Sequence, residues 1–248
     1  MQWFKQMLDR RSESRGIWLS SGSHVAAEIA AAAGFDWALL DMEHGVGEHH
    51  ETMRQIQVLS HSSCLPIVRV PSIHSEAIGR VLDFGVSAVM APMVNSGAEA
   101  AALVEALRYP PEGKRGLTGA SRACGYGKNF ENYFRDANAQ VAAIAQIETA
   151  EALDKIDEIA AVDGVEVLFI GHSDLALNLG CRGGYNDAVV RDAEEKVLAA
   201  CRRNAKKAGM LAKAGMTIDD YRHRGFSAIA AGTDIGVLKQ EFFRLAKA

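Results

Sequence analysis

Gly34-Phe-Asp-Trp-Ala-Leu-Leu-Asp-Met-Glu-His-Gly45 holds, in order, a helix stop, a short apolar run and a polar cluster. Gly34 closes the alanine-rich segment His24–Ala33, which has no internal breaker and reads as a helix. Trp37–Asp41 is too short for an independent helix and is apolar at consecutive positions, the pattern of a parallel strand covered on both faces. Its last residue and those that follow, Asp41, Glu43 and His44, are ionisable.

The same alternation runs outward in both directions. Further strands are predicted at Gly16–Leu19, Pro66–Val70, Ala88–Pro92, Val141–Ile147, Val165–Ile170, Met210–Ala212 and Ser227–Ala231. The helices between them are predicted at Glu48–Ser60, Ser75–Phe84, Ala98–Leu107, Ala150–Ala161, Asp187–Ala208, Ile218–His223 and from Asp234 to the end. Met1–Arg11 is amphipathic and charged and forms an additional N-terminal helix. Eight strand–helix pairs suit a closed (β/α)8 TIM barrel, a single α/β domain over residues 1–248. The rival, a doubly wound open sheet, is opposed by Gly16 to Gly22, which do not form a glycine-rich phosphate turn. The connection from Arg108 to Asn138 is too long for a turn, and loops of that length are often functional.

Composition narrows the function classes. The 248 residues are 48% hydrophobic and 23% charged, with a net charge of −4. No run of lysine and arginine stands out, so neither nucleic acid nor an anionic membrane is an expected partner. No uninterrupted apolar stretch is long enough to span a bilayer, and the N-terminus lacks a signal peptide's apolar core. Cys64, Cys124, Cys181 and Cys201 are widely spaced, which reads as reduced thiols in a cytoplasmic protein.

In a β/α barrel the reactive side chains sit where strands end. The predicted strand ends carry Asp41, Glu43 and His44, then Arg69, then Gln146 and Glu148, then His172, Ser173 and Asp174. Glu148 and Asp174 either share a hard divalent cation or cap the helices that follow them. His44 is either a general base or a rim histidine held by Asp41 or Glu43. Arg69 either binds a keto-acid oxygen or forms a salt bridge to Asp41 or Glu43. A Schiff-base mechanism needs a lysine in the pocket, and only Lys213 lies at a strand end, so a metal is the better electron sink.

These residues also carry a resemblance. The segments 34–45, Pro66–Pro71, Leu82–Gly85, Val89–Ser96, Arg108–Gly116, Gln146–Thr149 and Phe169–Ala176 resemble, in order, the motifs of the HpcH/HpaI aldolase family. The resemblance implies that Glu148 and Asp174 ligate Mg²⁺, Mn²⁺ or Co²⁺, which a 2-keto acid chelates through its carboxylate and ketone oxygens. It implies that Gln146 and the Ser173 backbone N–H bind the keto acid. It makes His44 the acid/base, rendered more basic by Asp83, and Arg69 the group that stabilises the enolate. The implied reaction is reversible cleavage of a 4-hydroxy-2-keto acid to pyruvate and an aldehyde, in the catabolism of aromatic compounds or sugar acids. Succinic semialdehyde, lactaldehyde and tartronate semialdehyde are the aldehydes it suggests. An alternative is a lyase for CoA thioesters, like the citrate-lyase β-subunit and malyl-CoA group, but no basic cluster offers a site for the nucleotide.

The chain departs from the family pattern at His172, where proline is common, and over Leu117–Gly127, a segment expected near the incoming aldehyde. Family members are commonly homo-oligomers, often hexamers, and Phe242, Phe243 and Leu245 suit such a contact or packing on their own barrel.

Overall fold

In the computed structural model, which describes residues 2–181, 188–213 and 215–247, eight parallel strands close in chain order into a barrel. They are β1 Ser14–Leu19, β2 Trp37–Asp41, β3 Leu65–Arg69, β4 Ala88–Ala91, β5 Ala142–Ile147, β6 Val165–Ile170, β7 Lys207–Leu211 and β8 Ala228–Thr233. The helices are α1 Phe4–Arg10, α2 His24–Ala33, α3 His49–Leu59, α4 Ser75–Asp83, α5 Gly97–Leu107, α6 Phe130–Gln140, α7 Ala150–Asp154, α8 Ile156–Ala160, α9 His172–Asn178, α10 Ala188–Arg203, α11 Ile218–Arg224 and α12 Asp234–Leu245.

Strand periodicity divides the core in two. Trp37 and Leu39 join a cluster inside the barrel, with Trp18, Leu65, Ile67, Met90, Ile144, Val167 and Phe169. Ala38 and Leu40 join the larger cluster between barrel and helices. The interior layers are tight. A Cβ at Gly16 would lie 2.2 Å from the Trp37 ring, so the indole fits only because position 16 is glycine. Phe4 and Leu8 of α1 also join the inner cluster, and the Phe4 N–H donates to Ser87 Oγ at 3.0 Å. The N-terminal helix thereby covers the mouth from which the strands start.

Several elements differ from the expectation, and α9 is an addition to it. The helix predicted to reach Ala208 ends at Arg203; Ala205 takes a left-handed φ of 53° and the chain enters β7 at Lys207. The start predicted at Asp187 lies outside the described residues. The connection read as a loop from Arg108 to Asn138 contains a 3-10 turn, Arg122–Cys124, and α6, which buries Tyr133 and Ala137. The single helix predicted over Ala150–Ala161 is broken at Lys155, φ −107° and ψ 19°, into α7 and α8. Among the described residues no helix is long and apolar enough to cross a membrane. All four cysteines are free thiols.

Candidate active site

The inward positions of the strands, followed one step beyond the apolar layers, become polar. After Leu39 comes Asp41, after Ile67 comes Arg69, and after Ile144 comes Gln146. Asp41 and Arg69 are register partners on β2 and β3, so their side chains meet. Arg69 donates through Nε to Asp41 Oδ1 at 2.9 Å and through its NH2 group to Oδ2 at 2.7 Å, a bidentate pair. Its NH1 group reaches Glu43 Oε2 at 2.7 Å, and its guanidinium lies 4.7 Å from the Trp18 ring centre. Both salt bridges considered for Arg69 are therefore formed. Burial alone would raise the Asp41 carboxyl, but the hydrogen bonds and charge of Arg69, with the Trp18 indole and the His44 N–H, hold it below the usual carboxylate range. Asp41 Oδ1 also accepts from the backbone N–H groups of Glu43 and His44, at 3.1 and 3.2 Å. The His44 backbone is thus anchored while its imidazole, with 68% side-chain exposure, stands at the rim 3.8 Å from Glu43.

Glu148 lies one residue beyond β5 and is only 3% exposed. Its Oε1 accepts from the Met93 N–H at 2.7 Å, and its Oε2 from Gln146 Nε2 at 2.7 Å. Met93 holds a left-handed φ of 53°, a costly conformation for a side chain of that size, and that backbone presents its N–H to the carboxylate. Burial pushes the Glu148 carboxyl up to about 7, and the charges of Glu43 and Asp174 push in the same direction. Asp174 is the third residue of α9, exposed, with Ser173 before it. Gln146 Oε1 is buried with no hydrogen-bond partner. Two carboxylates crowding one another beside an unsatisfied amide oxygen fit a hard divalent cation, with remaining positions left to water and substrate. Among the described residues no group of three or more His, Cys, Asp or Glu is arranged to hold a metal ion, this rim included, so the fit rests on the two carboxylates and the amide oxygen.

Residues 14–240 match the HpcH/HpaI aldolase/citrate lyase family. The chain belongs to that family. It is 40% identical to a hydroxypyruvate/pyruvate aldolase of Paraburkholderia phytofirmans, over 89% of this chain and 86% of that protein. It is 38% identical to a 4-hydroxy-2-oxovalerate aldolase of Rhodococcus jostii, over 98% of this chain and 94% of the other. The crystal structure of an HpcH/HpaI aldolase/citrate lyase family protein from Burkholderia cenocepacia superimposes with a TM-score of 0.93 at 35% identity, covering 98% of this chain and 97% of that one. This HpcH/HpaI family member is accordingly a carbon–carbon lyase of the aldolase type.

The family member's rim gathers His44, Arg69, Gln146, Glu148, Ser173 and Asp174, but not every expected residue. Asp83 is the last residue of α4, and the nine residues of that helix carry the chain roughly 13 Å back from the rim, at about 1.5 Å each. There Asp83 Oδ1 accepts from Arg115 at 3.1 Å, and no hydrogen bond or ion pair joins it to His44 among the described residues. Arg115 is fully buried, with its guanidinium 4.5 Å from the Tyr109 ring centre. Within one copy of the chain the segment 117–127 also lies away from this rim. α5 returns the chain to the rim where strands begin and β5 departs from it, so the insertion between them stays there. Arg122, Ala123 and Tyr126 line a cavity of about 610 Å³ with Cys64, Leu65 and Ser87, around the starts of β3 and β4. Lys213, the one strand-end lysine, reaches the buried carboxylate of Glu194 at 3.0 Å. Sequence reading gave no separate part to Trp18 or to the Met93 N–H. The inward parity of β1 announces the first; nothing local announces the second.

Proposed function

We propose that the chain reversibly cleaves a 4-hydroxy-2-keto acid to pyruvate and an aldehyde, with Mg²⁺, Mn²⁺ or Co²⁺ held by Glu148 and Asp174. The supporting observation is Glu148 itself, a buried carboxylate raised to about 7 by its surroundings and facing a second acid, an arginine and an amide. When bound, the cation supplies positive charge beside the C2 oxygen, and that charge is worth most in the transition state. His44 takes the proton of the C4 hydroxyl. The C4–O bond becomes the aldehyde carbonyl, the C3–C4 bond breaks, and its electron pair moves to C3 and the C2 oxygen. A proton added at C3 completes pyruvate. Arg69, fixed by Asp41 and Glu43, stands as the second positive charge for that oxygen. Gln146 and the Ser173 backbone orient the keto acid. Purified protein given Mn²⁺, pyruvate and a panel of short aldehydes, semialdehydes included, will consume pyruvate, and EDTA will stop it. No turnover across that panel with any of the three cations would overturn the proposal.

The catalytic unit in this proposal is a homo-oligomer, with a hexamer as the expected form. Every residue of α12 escapes burial, and Ile235, Val237, Leu238, Phe242, Phe243 and Leu245 are exposed along it. A His44–Asp83 pair needs two copies of the chain, because one copy keeps the two residues apart. Complementation tests this. H44A and D83A, each nearly inactive alone, will regain activity when unfolded and refolded together, up to about a quarter of wild type, since mixed interfaces contain some intact pairs. Mixtures no more active than their parts would remove Asp83 from the site. Four free cysteines suit a reducing, cytoplasmic setting.

A further inference from the structure

Glu194 lies in the middle of α10 and is 1% exposed. A carboxylate buried to that degree survives only if its charge is compensated. Three elements besides its own supply the compensation. His172 Nε2, at the start of α9, contacts Glu194 Oε1. Lys213 Nζ, just beyond β7, lies 3.0 Å from Oε1, and Arg224 at the end of α11 lies 2.6 Å from Oε2. Burial raises this carboxyl, but the partners outweigh burial and hold it at about 2, so it remains an anion at every working pH.

The position of His172 gives this cluster a bearing on the active site. Gly171, the residue before it, is in contact with the Glu148 carboxylate; the space for a Cβ there is already taken by Glu148 Oε2 at 2.3 Å. Ser173 and Asp174 come directly after it, in the first turn of α9. The turn that lies against one acid and carries the other is thus held from outside by the His172 imidazole. The β7–α11 connection is fastened too, since the Lys213 N–H donates to Tyr221 Oη at 2.9 Å and Tyr221 is fully buried.

We propose that Glu194 is a positioning residue of the active site, holding His172 so that the first turn of α9 presents Asp174 and Ser173 in register with Glu148. The inference rests on the reading of Glu148 and Asp174 as metal ligands. It differs from a purely stabilising role, in which loss of Glu194 lowers the melting temperature and leaves ligand binding alone.

Mn²⁺ binding to the purified protein, followed by the electron paramagnetic resonance of free Mn²⁺, separates the two. Glu194→Gln keeps the shape of the side chain and will raise the Mn²⁺ dissociation constant by about 10- to 100-fold, the size seen when groups behind a ligand are removed. The KM for pyruvate will rise with it, while kcat at saturating Mn²⁺ stays within about threefold of wild type. His172→Ala will weaken Mn²⁺ binding at least as much, and the double variant no further than His172→Ala alone, because Glu194 acts through His172. Glu195→Gln, which removes a 56% exposed carboxylate paired with the same Arg224, will leave Mn²⁺ binding unchanged. A folded Glu194→Gln with the wild-type dissociation constant, or additive effects in the double variant, would overturn the proposal. Should Glu194→Gln fail to fold, wild-type Mn²⁺ binding by His172→Ala overturns it instead. Failure of the unaltered protein to bind Mn²⁺ is a different result, and defeats the metal reading itself.

Discussion

Glu148→Gln will remove metal-dependent turnover by about a thousandfold or more, because a cation at a developing negative charge is worth several kcal/mol and each factor of ten is about 1.4. It will also make the metal-free protein more stable at pH 8. The sign follows from the direction of the shift. The folded carboxyl titrates at about 7, above its ordinary value of 4.5, so the folded state binds this proton more tightly than the unfolded chain does. Stability of the metal-free wild type therefore falls as pH rises from 4.5 towards 7, and stays lower beyond. The loss is about 2 kcal/mol after allowance for partial screening of the charge. Glutamine is neutral throughout and keeps the acceptor that the Met93 N–H uses. At pH 8 the metal-free variant will melt about 4–8 °C above metal-free wild type, and at pH 4.5 the two will coincide. The same proton competes with the cation, so wild-type Mn²⁺ affinity will rise with pH up to about 7, by up to tenfold per unit. A Glu148→Gln variant that melts lower than wild type at pH 8 would mean that the carboxylate serves the fold.

The parts of this arrangement that were legible in the sequence share a cause. β2, β3 and β5, and β6 after Glu166, run apolar up to their polar ends because helices cover one face and barrel layers the other. Their inward parity then names Asp41, Arg69 and Gln146 as the first polar layer. β7 was harder to read. Lys207-Ala208-Gly209 has weak strand character, and Gly209 is needed because a Cβ there would lie 2.4 Å from the Phe169 ring, a neighbour no local pattern reveals. α6 was hidden differently. Phe130, Tyr133, Phe134 and Ala137 do repeat at helical spacing, but they sit inside a glycine- and charge-rich connection that reads as loop. Asp83 shows the limit of a motif, which gives an identity and an order but not the rim to which a helix delivers it. Glu194 shows the converse. Among Asp192, Glu195 and Lys196 it reads as one more solvated acid, and only the tertiary structure buries it against His172.

Gly171→Ala will separate activity from stability more sharply than any substitution of an ionisable residue. The backbone does not require glycine here, since φ is −85° and alanine adopts that value freely. Space alone forbids a methyl group. It would lie 2.3 Å from Glu148 Oε2, 2.7 Å from Gln146 Nε2 and 3.0 Å from Glu148 Cβ. The closest atoms are the ends of flexible side chains, so the fold can relieve the clash by turning the Glu148 carboxylate and the Gln146 amide aside. The expected cost in stability is about 1–2 kcal/mol, the lower part of the range for an added methyl in a packed site. The same movement takes a proposed ligand and a proposed keto-acid donor out of place together. A displacement of 1 Å in such a group costs about a hundredfold in rate, and weaker cation binding adds to it. Turnover will fall about 100- to 1,000-fold at fixed Mn²⁺. Raising Mn²⁺ will recover only part of it, because the Gln146 amide stays displaced. A control at Gly79, where a Cβ meets nothing within 4 Å, will leave turnover intact. If Gly171→Ala matches wild type in kcat and Mn²⁺ affinity while folding normally, then the Glu148 carboxylate need not occupy this position, and the metal site built on it is wrong.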